Sequence, residues 1–293
     1  MRILIYGHRG WIGRKLTTLF ADDEVLGGEA RVDDDAALDR ELAAQRPERV
    51  VCCIGRTHGP GCGTIDYLEQ PGRLVDNVRD NLYAPLALAL RCQAAGVHLT
   101  YLGTGCIFEY GEESSAEDGV GEGFGEASEP NFFGSSYSVL KGFTDRLLHR
   151  LPDVLNVRIR MPITDEDHPR NFITKITAYA KICSRPNSMT VLDDLLPLMV
   201  DMCRQGTGGT VNLCNPGTLS HNEILEIYRD TVDPAFRWAN FSAAEQDELL
   251  AAGRSNNAMA TSLLRQRYPA VPDLRTSVTH ALQRMAARRA NES

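Results

Sequence analysis

The first sixteen residues constrain the fold more than any other part of the chain. The apolar run "RILIY" (2–6) predicts a buried strand, and "GHRGWIGRKL" follows it with Gly7, Gly10 and Gly13. Glycines between a strand and a helix permit a tight turn, where the backbone approaches a phosphate at the helix N-terminus. The spacing is GxxGxxG rather than the long-dehydrogenase GxGxxG. Its position predicts a dinucleotide-binding turn rather than one that only packs a helix.

The first half of the chain alternates apolar runs with helical patterns, which is typical of βαβ units and a parallel sheet. Further strands are predicted at 49–54, 98–103 and 156–161, and helices at 11–20, 73–95 and 135–150. In the second half, helices are predicted near 172–182, 192–205 and 221–230 and after Leu274. The stretch 111–133, rich in Gly, Glu and Ser, is predicted to be a long surface loop.

We therefore predict an α/β protein with two domains. A Rossmann doubly wound parallel sheet is expected over residues 1–160. A smaller C-terminal α/β lobe is expected over 161–293, with some of its segments returning to the first domain.

Composition excludes several classes of protein. The net charge of −8 argues against a protein that coats nucleic acid or a membrane surface, since both need a basic excess. The chain has no apolar run of about 18 residues and no signal-peptide core at "MRILIYG". Its eight cysteines show no CxxC spacing, so neither a metal site nor a disulfide framework is expected. Reduced thiols and a cytoplasmic location fit best.

The region about 20 residues beyond the glycine turn bears on cofactor choice. An acidic residue about 20 positions beyond the glycines would accept a hydrogen bond from the 2′-hydroxyl of the ribose, whereas an arginine would meet a 2′-phosphate. The stretch "EVLGGEARVDDD" offers Glu29 and then Arg31, without an Asp that ends a strand. Arg9 and Arg14 also lie near the turn. NADPH is therefore expected in preference to NADH.

The stretch "GSSYSVLKG" places Tyr137 and Lys141 four residues apart on a predicted helix, so both project from one face. An ammonium nearby would lower the pKa of the phenol, and such a tyrosine can donate a proton to a carbonyl oxygen as hydride arrives. YxxxK also occurs by chance as a surface Tyr and a solvated Lys. A preceding dinucleotide turn and the "GT" strand end at Thr104 favour the catalytic interpretation.

Together, the glycine turn, Thr104 and the Tyr137/Lys141 pair resemble an extended short-chain dehydrogenase/reductase. Longer blocks resemble one family closely: "TGCIFEY", "RMPI", "PRNFITKI", "PNSMTVLDDLLP", "NPGTLSHNEILE" and "RSNN". That family is the nucleotide-rhamnose synthase 3,5-epimerase/4-reductase of plants and some large DNA viruses, and the resemblance covers nearly the whole chain. The family is related to dTDP-4-dehydrorhamnose reductase, which performs only the reduction.

The resemblance implies a UDP- or dTDP-linked 4-keto-6-deoxyglucose as substrate. Inversion at C3 and C5 needs two proton-transfer groups on opposite faces of the ring, and the resemblance assigns these roles to Cys106 and Lys175. A thiol with an ordinary pKa near about 8.5 and a partly buried lysine both suit proton transfer near neutrality. Thr104 and Tyr137 would hold the C4 oxygen in both half-reactions. Without the resemblance, Cys106 would be interpreted as an inert buried thiol and Lys175 as an exposed lysine on a helix.

Binding roles follow from the same resemblance. The second lobe would bind the nucleotide diphosphate, and Asn131, Arg160, Asn187, Arg254 and Asn256 are the candidate substrate-binding residues. The dinucleotide would be held by Gly7, Arg9, Gly10, Trp11, Ile12, Gly13, Arg31, Ile54, Gly55 and Asn81, with Tyr137 and Lys141. The loop "GRTHGPGCGTIDYLEQPG" is longer than the plant-like pattern, so part of the pocket is expected to differ.

These expectations define an NADPH-dependent 3,5-epimerase/4-reductase that makes nucleotide-L-rhamnose. A separate 4,6-dehydratase would supply its substrate, and a homodimer is expected from the family. Two alternatives stay open: an enzyme that only reduces, and a non-catalytic NADP-binding regulatory subunit. The choice between UDP and dTDP sugars stays open as well.

Overall fold

The structure, a computed structural model, describes residues 1–110 and 123–292. It divides into two compact units. The first unit comprises Met1–Ile107, Glu129–Arg158 and Leu196–Val211, and the second comprises Phe108–Ser128, Ile159–Leu195 and Asn212–Ser293. Most of the long loop predicted at 111–133 lies outside the described residues.

Strands and helices alternate through the first half of the chain. In order they are β1 (Arg2–Tyr6), α1 (Trp11–Leu19), β2 (Glu24–Gly27), α2 (Asp35–Gln45), β3 (Arg49–Cys52), α3 (Leu74–Val78), α4 (Ala84–Ala94), β4 (His98–Thr104), α5 (Ser136–Leu148) and β5 (Val154–Ile159). A 3₁₀ helix, Ile65–Glu69, precedes α3, and a π-helical turn, Arg79–Tyr83, joins α3 to α4.

The second half is richer in helices. Its elements are α6 (Phe172–Thr177), β6 (Lys181–Ile182), α7 (Leu192–Gln205), β7 (Gly209–Asn212), α8 (His221–Thr231), β8 (Ala239–Asn240), α9 (Ala243–Leu249), α10 (Ser262–Arg267) and α11 (Leu274–Glu292). Across residues 1–110 and 123–292, no helix combines the length and apolar character needed to cross a bilayer.

Six strands of the described chain form one sheet in the order β2-β1-β3-β4-β5-β7. The pairs β2–β1, β1–β3 and β3–β4 are parallel. The order reverses between β1 and β3, and in open α/β sheets ligands bind at the carboxyl ends of the strands at such a switch point. Gly7 follows β1 there, and Ile54 and Gly55 lie just beyond β3. The fold therefore places the glycine turn where a ligand is expected.

The apolar runs become central strands because helices cover both faces of the sheet. Leu4 of β1, Val50 of β3 and Leu99 of β4 are fully buried in one core with side chains of α2 and α4. The second unit has a core of its own, formed by side chains that include Ile173, Ile176, Ile224, Leu225, Val278 and Leu282 of α6, α8 and α11.

Several element boundaries differ from the sequence prediction. The strand predicted at 156–161 runs from Val154 to Ile159, because Met161 adopts a positive φ of 38° and Pro162 follows it. The helix predicted at 73–95 is interrupted by the π-helical turn. The helix predicted near 172–182 ends at Thr177 and is followed by β6. Helices α2, α9 and α10 and strands β2, β6, β7 and β8 were not predicted.

Candidate active site

The glycine turn after β1 is tightly packed. Gly7 has a φ of +82°, and a Cβ added at Gly13 would lie 2.1 Å from the Gly7 carbonyl oxygen, so α1 begins directly against the turn. Gly10 is the N-cap of α1 and provides no side-chain cap to its first N–H groups. The turn thus presents backbone donors and the positive end of a helix dipole, which fits an anionic ligand such as a pyrophosphate.

Charged side chains flank this turn. The Glu29 carboxylate, two residues beyond β2, forms an ion pair with the Arg9 guanidinium and lies 3.6 Å from His8 Nε2. Arg31 is exposed and donates two hydrogen bonds to the Asp33 carboxylate, at 2.9 and 2.8 Å. The Glu29 carboxylate therefore contacts side chains of the glycine turn, whereas the Arg31 guanidinium pairs with Asp33.

Helix α5 carries Tyr137 and Lys141 on one buried face. Its N-cap is Ser135, whose hydroxyl accepts a hydrogen bond from the Ser138 N–H at 3.1 Å. Tyr137 is 7% exposed and Lys141 5% exposed, so this is not the solvated pair that a chance YxxxK would give. Their spacing of four residues places the phenol and the ammonium near each other, with 5.9 Å between Lys141 Nζ and the centroid of the Tyr137 ring.

Thr104 and Cys106 lie beside Tyr137 at the end of β4. The Thr104 hydroxyl oxygen accepts a hydrogen bond from the Cys106 backbone N–H at 3.0 Å, and Thr104 also hydrogen-bonds the Tyr137 side chain. The half-buried Cys106 packs against the cluster that contains Tyr137. One strand end therefore brings a hydroxyl, a thiol and a phenol together.

The protonation of Tyr137 corrects one prediction. Burial raises the pKa of Tyr137, the nearby Cys106 thiol raises it further, and only the hydrogen bond with Thr104 acts in the opposite direction. The sequence predicts that Lys141 lowers this pKa. The Lys141 ammonium instead donates its hydrogen bond to Tyr101, at 2.6 Å. A raised pKa keeps the phenol protonated, which is the form a proton donor requires.

Lys141 is a buried ammonium with close neighbours. Burial lowers its pKa from 10.5 to about 8. Gly55, just beyond β3, packs closely against it, because an added Cβ there would lie 3.0 Å from Lys141 Nζ and 3.2 Å from Asn81 Oδ1. Asn81 is held in the π-helical turn, where its side-chain oxygen accepts a hydrogen bond from the Arg56 N–H at 2.9 Å. The structure thus brings the predicted residues Gly55, Asn81 and Lys141 together.

The long loop after β3 forms part of the same site. Tyr67 and Leu68 of its 3₁₀ helix pack against Tyr137. The Glu69 carboxylate accepts hydrogen bonds from the Ser136 N–H and hydroxyl, both at 2.8 Å, at the first turn of α5. The loop therefore shields Tyr137 and anchors α5. Glu69 and Tyr101 were missed by sequence reasoning, because their partners lie 67 and 40 positions away.

Lys175 lies in the second unit on α6, and its side chain is half-buried. Burial lowers the pKa of Lys175, and the guanidinium groups of Arg170 and Arg254 lower it further. Three cationic side chains thus share one region of this unit, an arrangement suited to an anionic ligand.

Four of the predicted substrate-binding residues form one network in the second unit. The buried Arg160 guanidinium donates to Asn187 Oδ1 at 2.6 Å and to the hydroxyl and carbonyl oxygens of Ser255 at 3.0 and 3.1 Å. Asn187, also buried, donates to Asn256 Oδ1 at 2.9 Å, and Asn256 donates to the Arg254 carbonyl oxygen at 3.1 Å. Arg254 and Asn256 are half-buried and accessible to a ligand, whereas Arg160 and Asn187 are enclosed.

The fifth residue, Asn131, is exposed in the first unit, where its backbone N–H donates to the Ile107 carbonyl oxygen at 3.1 Å. Among the described residues, no three His, Cys, Asp or Glu side chains come together as a metal site would require.

A Rossmann sheet, a glycine turn and the Thr104, Tyr137 and Lys141 side chains define an extended short-chain dehydrogenase/reductase. No family model matches the chain. The chain is 54% identical over 288 residues to the protein L780 of Acanthamoeba polyphaga mimivirus, covering 97% of this chain and 99% of that protein. The crystal structure of that protein, the L780 UDP-rhamnose synthase, matches with a TM-score of 0.93 over 97% of this chain and 99% of that one.

A second relative is the bifunctional dTDP-4-dehydrorhamnose 3,5-epimerase/dTDP-4-dehydrorhamnose reductase of Arabidopsis thaliana. It is 40% identical over 278 residues, which are 94% of this chain and 90% of that protein. The chain therefore belongs to the nucleotide-rhamnose synthase family of 3,5-epimerase/4-reductases. This confirms the resemblance noted in the sequence.

Two further matches extend the comparison. The trifunctional UDP-glucose 4,6-dehydratase/UDP-4-keto-6-deoxy-D-glucose 3,5-epimerase/UDP-4-keto-L-rhamnose-reductase RHM1 of Arabidopsis thaliana is 40% identical over 282 residues, and the chain spans 41% of its length. A dTDP-4-dehydrorhamnose reductase of Bacillus anthracis, solved with NADP, matches at 16% identity with a TM-score of 0.74 over 96% of this chain and 98% of that one. The latter match confirms the predicted Rossmann-like fold.

Proposed function

We propose that the chain is a bifunctional 3,5-epimerase and 4-keto reductase that converts a UDP-linked 4-keto-6-deoxyglucose to UDP-L-rhamnose. The observation that carries the proposal is the joint presence of Thr104, Cys106 and Tyr137 at one strand end, with Lys141 on the same helix face as Tyr137. Membership of a family with members named for both activities supports it. UDP is preferred over dTDP because the solved relative of 53% identity is named a UDP-rhamnose synthase.

The reduction uses a hydride that a bound nicotinamide supplies. Thr104 and Tyr137 hydrogen-bond the C4 oxygen, and Tyr137 transfers its phenolic proton to that oxygen as charge develops there. The hydrogen bond with Thr104, which acts to lower the pKa of Tyr137, stabilises the phenolate that remains, and the ammonium of Lys141 lies on the same helix face, 5.9 Å from the centroid of the phenol ring. Because Tyr137 is protonated well above neutrality, it enters the reaction as the acid.

The epimerisation uses the acidity of carbons adjacent to a ketone. Thr104 and Tyr137 stabilise the enolate oxygen at C4, while a proton leaves one face of the ring and another arrives on the opposite face. We assign Cys106 and Lys175 to these two transfers. The half-buried thiol beside Tyr137 supports the first assignment, and the lowered pKa of Lys175 supports the second.

Solvent deuterium tests the proposal. The protein is incubated in D₂O with UDP-4-keto-6-deoxyglucose and NADPH, and the UDP-rhamnose formed is analysed by NMR. Deuterium at C3 and C5 is the expected result. Product without deuterium from a pre-epimerised 4-keto sugar, and no reaction with the unepimerised one, would identify an enzyme that only reduces. Absence of NADPH oxidation with either sugar would indicate a non-catalytic subunit.

Cys106→Ala separates the two activities. We expect deuterium incorporation to fall by about 10²-fold or more, the size of a lost acid–base group, while the pre-epimerised sugar is still reduced. Cys92→Ala is the matched control, because Cys92 is buried in the sheet core of the same unit. If Cys106→Ala also abolished the reduction, Cys106 would have a structural role.

We propose NADPH as the preferred cofactor, with Arg9 rather than Arg31 as the partner of a 2′-phosphate. The position of Arg9 at the glycine turn supports this: both arginines pair with a carboxylate, Arg9 with Glu29 and Arg31 with Asp33, but only Arg9 belongs to the turn. Arg9→Ala should lower kcat/KM for NADPH about tenfold and leave that for NADH nearly unchanged. Arg31→Ala is the matched control and should change neither. A larger loss of kcat/KM for NADPH in Arg31→Ala than in Arg9→Ala would make Arg31 the partner of the 2′-phosphate.

Two partners complete the proposal. A 4,6-dehydratase supplies the 4-keto substrate, an activity that the plant trifunctional relative is named for.

A second copy of the chain is expected to cover the exposed apolar side chains Leu74 and Val75 of α3 and Phe143 and Leu147 of α5. Light scattering should give the mass of a dimer, and Phe143→Glu should give a monomer. A monomeric wild-type protein would contradict the dimer.

A further inference from the structure

Tyr101 is a buried tyrosine with a specific partner. It lies on β4, three residues before Thr104, and its side chain is 1% exposed. The Lys141 ammonium donates a hydrogen bond to its hydroxyl at 2.6 Å and lies 5.0 Å from the centroid of its ring. A buried tyrosine needs a partner for its polar end, and here that partner is the cation of the proposed catalytic set.

The other neighbours of the ammonium do not replace this hydrogen bond. Gly55 contributes no side chain, and the Asn81 amide is committed to protein partners. Asn81 Nδ2 donates to the Arg56 carbonyl oxygen and to Asn77 Oδ1, both at 2.8 Å. The hydroxyl of Tyr101 is thus the acceptor that fixes Lys141 Nζ among the described residues.

We propose that Tyr101 is a positioning residue for Lys141, an assignment that rests on the proposed reductase function. Its hydroxyl holds the ammonium beside Gly55, 5.9 Å from the centroid of the Tyr137 ring. Lysine has a flexible four-carbon stem, so without an acceptor Nζ would sample several positions. The same hydrogen bond stabilises the charged amine against the burial that disfavours it.

Tyr101→Phe tests this assignment, because it removes one oxygen and keeps the ring. With a pre-epimerised 4-keto sugar and NADPH, kcat is expected to fall about tenfold while KM for the sugar changes less than about twofold. The basic limb of the pH–kcat profile is expected to move about one pH unit lower, since the ammonium has lost a charge-assisted hydrogen bond. A tyrosine that only fills the core would leave this limb in place.

Tyr6→Phe is the matched control. Tyr6 is also buried in the sheet, on β1, and its hydroxyl donates to Glu41 Oε2 at 2.7 Å, away from Lys141. This variant loses a buried hydroxyl of the same kind and should keep the wild-type pH profile. An equal shift in both variants would overturn the assignment.

A second measurement separates failure of this inference from failure of the proposed function. The chain has four lysines, Lys15, Lys141, Lys175 and Lys181, so ¹³C NMR of ε-labelled lysine is tractable, and Lys141→Met assigns the Lys141 signal. Tyr101→Phe should move the Lys141 midpoint about one pH unit lower. An unchanged midpoint would overturn the positioning role. A shifted midpoint in a protein that reduces neither 4-keto sugar would support the contact and reject the reductase.

Discussion

Lys141 in the first unit and Arg160 in the second are both buried cations, but their surroundings differ. The Arg160 guanidinium donates four hydrogen bonds to oxygens of Asn187, Ser188 and Ser255. Among the described residues, the Lys141 ammonium donates one, to Tyr101. Arg160 is 1% exposed among these acceptors, whereas Lys141 packs against Gly55, which offers no side chain to the ammonium. The number of hydrogen-bond acceptors around each cation therefore distinguishes Arg160, which stabilises the fold, from Lys141, which is available to a reaction.

Arg158 confirms that the distinction does not depend on the unit. It lies in the first unit and is 1% exposed, and its guanidinium donates two hydrogen bonds to the buried Asp145 carboxylate, at 2.8 and 2.7 Å. A buried guanidinium held by several hydrogen bonds to protein oxygens is structural in either unit. Arg160, a candidate substrate-binding residue in the sequence, is therefore better suited to hold Asn187 and the segment around Ser255, so that Arg254 and Asn256 are positioned for a ligand.

The largest effect is expected from unpairing Arg158. Asp145→Asn leaves a buried guanidinium without its carboxylate, which should lower the free energy of unfolding by about 3–5 kcal/mol, measured by urea denaturation. Asp230→Asn is the control, because the Asp230–Arg229 pair is exposed and should contribute less than about 1 kcal/mol. A loss as small as that of the control would remove Arg158 from the structural group.

A smaller effect is expected from Arg160→Lys, which keeps the charge but loses the guanidinium fork. Buried oxygens left without donors should lower the free energy of unfolding by about 2–3 kcal/mol. Because Arg254 and Asn256 belong to the same network, UDP affinity measured by calorimetry should fall as well. Arg265→Lys, at an exposed position of α10, is the control. Unchanged stability with lost UDP binding would instead make Arg160 a direct ligand.

The contrast also shows which parts of the site can be read from sequence. The glycine turn and the Tyr137/Lys141 pair are local patterns, so strand and helix periodicity alone predict their geometry. The raised pKa of Tyr137 could not be predicted. It depends on the burial of Tyr137 under the 3₁₀ helix and on the hydrogen bond from Lys141 to Tyr101. Both are tertiary contacts between residues that lie tens of positions apart in the sequence. A tyrosine inside a buried strand is the one available signal, since its hydroxyl needs a partner.

The smallest effect has the opposite sign. Lys141→Met should abolish reduction, yet it should raise the free energy of unfolding at pH 7 by about 2 kcal/mol. Removing the buried charge, whose cost appears as the lowered pKa of Lys141, contributes about 3 kcal/mol, and loss of the hydrogen bond to Tyr101 costs about 1 kcal/mol. Lys181→Met, at an exposed position, should change stability by less than about 0.5 kcal/mol.

The pH dependence identifies the source of that gain. The pKa of Lys141 is about 8 in the folded protein and 10.5 ordinarily. Below pH 8 both states carry the proton, and the folded protein bears the full cost of a buried charge. Between pH 8 and 10.5 the folded state releases the proton while the unfolded state keeps it, so wild-type stability rises relative to the variant. The advantage of Lys141→Met should therefore vanish by about pH 10.5 in urea denaturation curves. A gain in stability that does not depend on pH would come from packing. It would group Lys141 with the structural cations Arg158 and Arg160 instead of separating it from them.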